Sequence, residues 1–268
     1  MTISHQLSTP IAQGRTAEIY NWDDGSTILK LYHTWCPPNW IEHEAHVAQV
    51  IAAAGIPSPA VGEIVEVNDR RGIVYQRVDG LSMLQDLNAR PWTIFKHARA
   101  LAHLQFQFQQ LSIPGLYSYH AALEYNVGCA PHIPDVTRAK VLDLLKTLPD
   151  GKALCHGDFH PGNVIISSRG PVVIDWMTAA SGSPWADVAR TSMILSVGAK
   201  AAGKQVSPIV RLFVNLFYKI YLQRYRALQP DLQGEFRGWL PVIAAARLEE
   251  RIEPEREGLL RMIDDELP

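Results

Sequence analysis

Short apolar runs punctuated by turn letters open the readable part of this chain. EIYNW and TILKLY are short, largely apolar runs on either side of the turn letters DDGS, which predicts a hairpin from Glu18 to Tyr32. After CPPN the pattern changes: WIEHEAHVAQVIAAAG reads as a helix that stops at Gly55, with Pro57 and Pro59 beyond it. Two further strand-like runs, VGEIVEV and GIVYQRV, flank the turn letters NDRR. Past Asp79-Gly80 the apolar positions recur every three or four residues, in SMLQDL, WTIFKHARALAHLQFQFQQL and VTRAKVLDLLKTL. The stretch from Ser112 to Pro134 is rich in Pro and Gly and is expected to be a loop, and the chain from Asp187 onward is expected to be mostly helical. The pattern predicts an α+β protein with a boundary near Val78 to Gly80: a small lobe, 1–78, with an antiparallel sheet and one helix, and a larger helical lobe, 79–268.

Between the helical stretches lies a second hairpin signal, VIIS, SRG and PVVI, which should bring Asn163 and Asp175 together at its open end, about 5 Å apart at the backbone. An amide oxygen beside a carboxylate, with Asp158 on the loop feeding the same end, makes an oxygen-rich site suited to Mg²⁺ and hence to nucleotide phosphates. The preceding letters, CHGDFHPGNV, admit two readings. His156, Asp158 and His160 alternate, as the ligands of a metal-dependent hydrolase would along a strand. Alternatively, His156, Asp158 and, five residues on, Asn163 have the spacing of a kinase catalytic loop. Pro161-Gly162 favours a loop and so the second reading.

In the small lobe, steps of 100° put Trp40, Val47, Ala48, Ile51 and Ala54 on one helix face, with Glu44 in its middle. A buried carboxylate there needs a cation, and Lys30 in TILKLY is the candidate; the alternative is a helix turned so that Glu44 reaches solvent. The single glycine in Gly14, Arg15 and Thr16, just before the first hairpin, reads as a turn, with covering of phosphates by the backbone amides there as the functional alternative.

Composition narrows the partners. Apolar residues make up 47% and charged residues 19%, with a formal charge of -2, which suits a folded enzyme and argues against a nucleic-acid partner. The N-terminus lacks a secretory pattern, and the apolar run from Pro208 is broken by Arg211, Lys219 and Arg224, so no membrane segment is expected. Three scattered cysteines, Cys36, Cys129 and Cys155, fit reduced thiols and a cytoplasmic location. Oligomeric state leaves no trace in the sequence.

LCHGDFHPGNVIISSRGPVVIDW followed by GSPWADVAR closely resembles the aminoglycoside phosphotransferase and choline kinase family, and GRTAEIY, ILKLY, EAHVAQVIAAAGIPSP and YQRVDG follow in the family's order. The resemblance implies a bilobal, protein-kinase-like fold and transfer of a γ-phosphoryl group from ATP or GTP to a hydroxyl of a small molecule. It implies that Asp158 is the catalytic base, that Asn163 and Asp175 hold Mg²⁺, and that Lys30 contacts phosphates while paired with Glu44. Gln76 to Val78 would be the hinge facing the base, Asp187 would brace the catalytic loop, and His156 and His160 would support it. The sequence departs from protein kinases at Asp175-Trp176-Met177, which replaces Asp-Phe-Gly, and leaves no room for an activation loop. A nucleotide-binding pseudokinase acting through a partner is the alternative that the intact Asp158, Asn163, Asp175 and Lys30 oppose. Glu249, Glu250, Glu253, Glu255 and Glu257 form an acidic run that would suit a cationic acceptor, against its reading as a solvated helix face.

Overall fold

The computed structural model describes residues 7–198, 207–230 and 236–267. The N-terminal tip read above for a targeting signal, and parts of the helical stretch expected after Asp187, lie outside the described residues. The chain divides into two compact units, whose described residues fall within Met1–Leu84 with Gly162–Met177 and within Gln85–Pro161 with Thr178–Pro268.

The first unit is built on an antiparallel sheet of five strands, β1 (Ala12–Gln13), β2 (Ala17–Trp22), β3 (Thr27–Tyr32), β4 (Val61–Val67) and β5 (Arg70–Gln76), in the order β1-β2-β3-β5-β4. Alternation along TILKLY sends Leu29 and Leu31 to one face, where they pack with Tyr20, Trp22, Val67 and Val74. On the other face Tyr32, Ala17 and Ile73 pack with Cys36 and with Ile41 and Ala45 of helix α1 (Pro38–Ala53). The buried stripe of α1 is Ile41, Glu44, Ala45, Val47 and Ile51, while Trp40 and Ala54 are exposed and Ala48 is half-buried. The expected face is therefore turned about its axis, because anchoring the wheel on Trp40 gave weight to an aromatic that lies against Trp35 at the surface. Glu44 sits in the buried stripe all the same.

The same unit holds a three-stranded sheet of β6 (Leu81–Ser82), β8 (Val164–Ser167) and β9 (Gly170–Val173), in the order β6-β8-β9. Gly80 is required here: with φ of 151°, an added Cβ would lie 2.4 Å from the Ile166 carbonyl oxygen. The Val173 amide donates to the Pro57 carbonyl at 2.9 Å, tying the hairpin to the turn after α1.

The second unit is mainly helical: α2 (Met83–Ala89) leads into it, followed by α3 (Ile94–Gln109), α4 (Tyr119–Cys129), α5 (Asp135–Thr147), α6 (Pro184–Met193), α7 (Pro208–Leu228), α8 (Phe236–Leu248) and α9 (Arg256–Glu266). A short antiparallel pair, β7 (Ala153–Cys155) and β10 (Ala180–Gly182), lies among them. Helix α8 is buried along nearly its whole length and packs against α4, α5, α6 and α9. The expected loop between Ser112 and Pro134 is corrected by α4, which the Ser118 hydroxyl caps by accepting from the Ala121 amide at 3.1 Å. Its buried residues Tyr119, Leu123 and Val127 keep a four-residue spacing, but alanines and Tyr125 between them blur the polar face. Among the described residues no helix is long and apolar enough to cross a membrane.

Candidate active site

In the first unit the site starts from one lysine. Lys30 lies on the face of β3 that α1 covers, and its Nζ donates to Glu44 Oε1 at 2.7 Å and to Asp175 Oδ1 at 3.0 Å. Burial pushes the ammonium's pKa down, but the Asp175 and Glu44 carboxylates more than offset this and hold it above its ordinary value. Glu44 is buried and has two further donors that sequence reasoning missed, the hydroxyls of Tyr32 and of Tyr75. Burial, with the Glu44 charge beside them, pushes both phenols up, so they remain donors across the physiological range. Period-two spacing was the available signal: Tyr32 follows Lys30 by two residues, and β3–β5 pairing puts Tyr75 on the same face.

Asp175 sits just beyond β9 with φ of 63°, a left-handed conformation that is uncommon for a non-glycine residue. In the hairpin Val164 pairs with Val173, and the Ile174 amide donates to the Asn163 carbonyl at 3.0 Å. Asn163 therefore faces Ile174 rather than Asp175, a correction of one residue. The cause is the turn: Gly170 pairs with Ser167, so the connection is Ser168-Arg169 instead of the three letters SRG. The pair still offers an amide and a carboxylate at adjoining places on the open end, hard oxygen donors of the kind Mg²⁺ takes, and the fixed left-handed turn aims the carboxylate at Lys30. Asn163 is buried and the Asp175 side chain is 43% exposed.

The expected phosphate-covering stretch Gly14, Arg15 and Thr16 joins β1 to β2. Its Gly14 amide is engaged by the Ala17 carbonyl at 2.8 Å. Gln76 ends β5, with its amide on the Ala60 carbonyl at 2.8 Å, and half-buried Val78 follows it.

In the second unit β7 ends at Cys155, and residues 156–160 are not a strand. The alternation of His156, Asp158 and His160 is thus incidental. His156 is buried and its Nδ1 accepts from the Asp158 amide at 3.2 Å, while His160 Nε2 lies 3.8 Å from Asp158 Oδ2. Among the described residues no three His, Cys, Asp or Glu side chains gather as a metal site, so the hydrolase reading is withdrawn.

Gly157 is the anchor of the loop. Its φ is 77°, and an added Cβ would lie 2.7 Å from the Thr178 carbonyl oxygen. Its amide donates to Asp187 Oδ1 at 2.8 Å, and its carbonyl accepts from Arg190 Nε at 3.0 Å. Asp187 Oδ2 accepts in turn from Gln105 Nε2 at 2.9 Å and Gln109 Nε2 at 3.0 Å. The Oε1 atoms of those glutamines accept from the hydroxyls of Tyr221 and Tyr225 on α7. All five of these polar residues are buried, and only Asp187 was marked by sequence reasoning. The repeated glutamines four residues apart in LQFQFQQL were the overlooked signal.

Arg190 also pairs with Glu250, which Arg247 Nη1 meets at 2.7 Å, and Arg247 forks onto Glu255 at 2.7 and 3.1 Å. Burial tends to raise the Glu250 carboxyl, but Arg190 and Arg247 outweigh it and bring it down to about 2. Glu253 pairs with Arg256 and Glu257 with Arg261. Four of the five carboxylates in the acidic run, Glu250, Glu253, Glu255 and Glu257, thus meet this chain's own arginines.

The sequence matches the phosphotransferase enzyme family over residues 9–207, and the chain belongs to that family. Its backbone is similar to that of an aminoglycoside-3'-phosphotransferase of type VIII, at 20% identity over 90% of each chain with a TM-score of 0.63. It is similar as well to amicoumacin kinase hAmiN in complex with AMP-PNP, Ca²⁺ and Ami, at 15% identity over 98% and 89% of the two chains with a TM-score of 0.65. A choline/ethanolamine kinase family protein from Mesorhizobium loti gives 17% identity over 95% and 84% with a TM-score of 0.58. No protein of curated function matches the chain in sequence. The expected fold class, α+β and kinase-like, is the observed one.

Proposed function

We propose that this phosphotransferase is a small-molecule kinase that moves the γ-phosphoryl group of ATP or GTP to a hydroxyl of a small acceptor. The observation that carries the reading is the Lys30 ammonium held between Glu44 and Asp175. A lysine fixed in this way on a sheet, with a helix carboxylate behind it, is positioned to meet phosphate oxygens. The hinge segment Gln76 to Val78 would meet the base, and Arg15 and Thr16 would lie over the phosphates.

A bound Mg²⁺ would be held by Asn163 and Asp175 and would neutralise phosphate charge. In the reaction, the acceptor oxygen bonds to the γ-phosphorus as the bond to the β–γ bridging oxygen breaks, and the hydroxyl proton passes to Asp158. His156 fixes the loop through the Asp158 amide, and Asp187 fixes it through Gly157. Glu250 and Glu255 are committed to Arg190 and Arg247, which favours an acceptor recognised by shape and hydroxyl groups more than by positive charge. Three free cysteines support a reducing, cytoplasmic setting.

The test is thermal. Mg²⁺ with ATP or GTP at millimolar concentration should raise the melting temperature through linkage, and Asp175→Ala should remove most of the rise. No rise in the unmutated protein with either nucleotide would defeat the reading.

A further inference from the structure

Helices α3 and α7 pack side by side, and between their outer edges lies a cleft of about 560 Å³. Its walls include Phe95, Arg99 and His103 from α3 and Ile220, Gln223 and Arg224 from α7. The two helices together carry six lysines and arginines and no aspartate or glutamate. Two of these cations, Arg99 and Arg224, line the cleft itself, on a chain whose formal charge is -2.

The guanidinium groups in the cleft meet no carboxylate among the described residues, unlike two of the buried ones in the same unit. Arg190 and Arg247 meet carboxylates. Arg224 instead donates from Nε and Nη2 to His103 Nε2, at 2.9 and 2.6 Å. The imidazole must then carry its proton on Nδ1, and it orients the guanidinium without neutralising it. Arg99, one turn before His103, has no carboxylate partner among the described residues. Phe95, 51% exposed, adds an apolar ring surface at the edge of the cleft.

We propose that this cleft binds a small organic phosphate monoester, with Arg224 and Arg99 on the phosphate oxygens and Phe95 and Ile220 against the organic group. Two arginines in fork geometry suit a dianionic phosphate. The volume suits a ligand of that size. The cleft shares no lining residue with Lys30, Asp158 and Asp175, so its occupancy does not depend on the phosphotransfer reading.

Phenyl phosphate is the probe, titrated calorimetrically into the full chain at low ionic strength with Mg²⁺ and ADP present to fill the nucleotide site. Benzyl alcohol is the neutral control. We expect roughly millimolar binding of phenyl phosphate, weakened about tenfold in Arg224→Gln and in Arg99→Gln at unchanged melting temperature. Arg99 is exposed on its helix, so Arg99→Gln keeps the experiment decisive even if the Arg224 variant fails to fold. Absence of binding, equal affinity in the unmutated protein and the Arg99 variant, or benzyl alcohol binding as well as phenyl phosphate would each overturn the proposal.

Discussion

Lys30 faces two carboxylates, so the three groups together carry one negative charge. A triphosphate arriving alone meets that excess charge, whereas a divalent cation is attracted by it. Nucleotide affinity should therefore depend on the metal: titration in EDTA should give a Kd at least about tenfold weaker than in Mg²⁺, since each 1.4 kcal/mol of lost attraction is a factor of ten. Glu44→Gln removes one partner of a buried pair while leaving Asp175 in contact with the ammonium. It should cost about 3 kcal/mol of stability by denaturant titration, the lower end for breaking such a pair. Asp158→Asn, by contrast, should leave the nucleotide-induced melting shift in place and lower kcat by about 10²–10⁴-fold, the usual range for a lost general base. Of these residues, Glu44 and Lys30 were legible because a carboxylate in an apolar stripe demands a cation. The tyrosines behind them were not, since a phenol in a strand reads equally well as core.

At the scale of elements, the loop at Gly157 is held by helices distant in sequence. Tyr225 on α7 donates to Gln109 on α3, and Gln109 donates to Asp187 on α6. Tyr225→Phe leaves a buried amide oxygen without its donor and should cost about 1–3 kcal/mol, with kcat lowered more than KM because the loop loses its support. Such a relay is invisible to periodicity, which reports where a helix is buried and not which partner its polar side chains meet. The hairpin was legible as a hairpin, and its register slipped by one because Gly170 was counted in the turn when it pairs in the strand. The Glu250 ion pairs add a pH dependence at this same scale. A carboxyl whose folded value is about 2 stabilises the fold above its ordinary value near 4.5 and loses that contribution as pH falls through 2. Urea titrations between pH 5 and 2 should show this loss, on the order of 2–3 kcal/mol, and Glu250→Gln should flatten that part of the profile.

For the whole molecule, the two kinds of texture, short apolar runs first and helical periodicity afterwards, were enough to give the α+β class. What they left out is that hairpin 164–173 belongs to the same compact unit as the N-terminal sheet, a long-range grouping that local pattern does not encode. The family match ends at residue 207, yet Tyr221, Tyr225, Arg247 and Glu250 beyond it all bear on the loop at Gly157. That dependence has a temporal side. As the chain leaves the ribosome, the residues that would do the chemistry emerge well before the helices that shape them, so the loop at Gly157 would lack its supports until the stretch from Tyr221 to Glu250 had been synthesised.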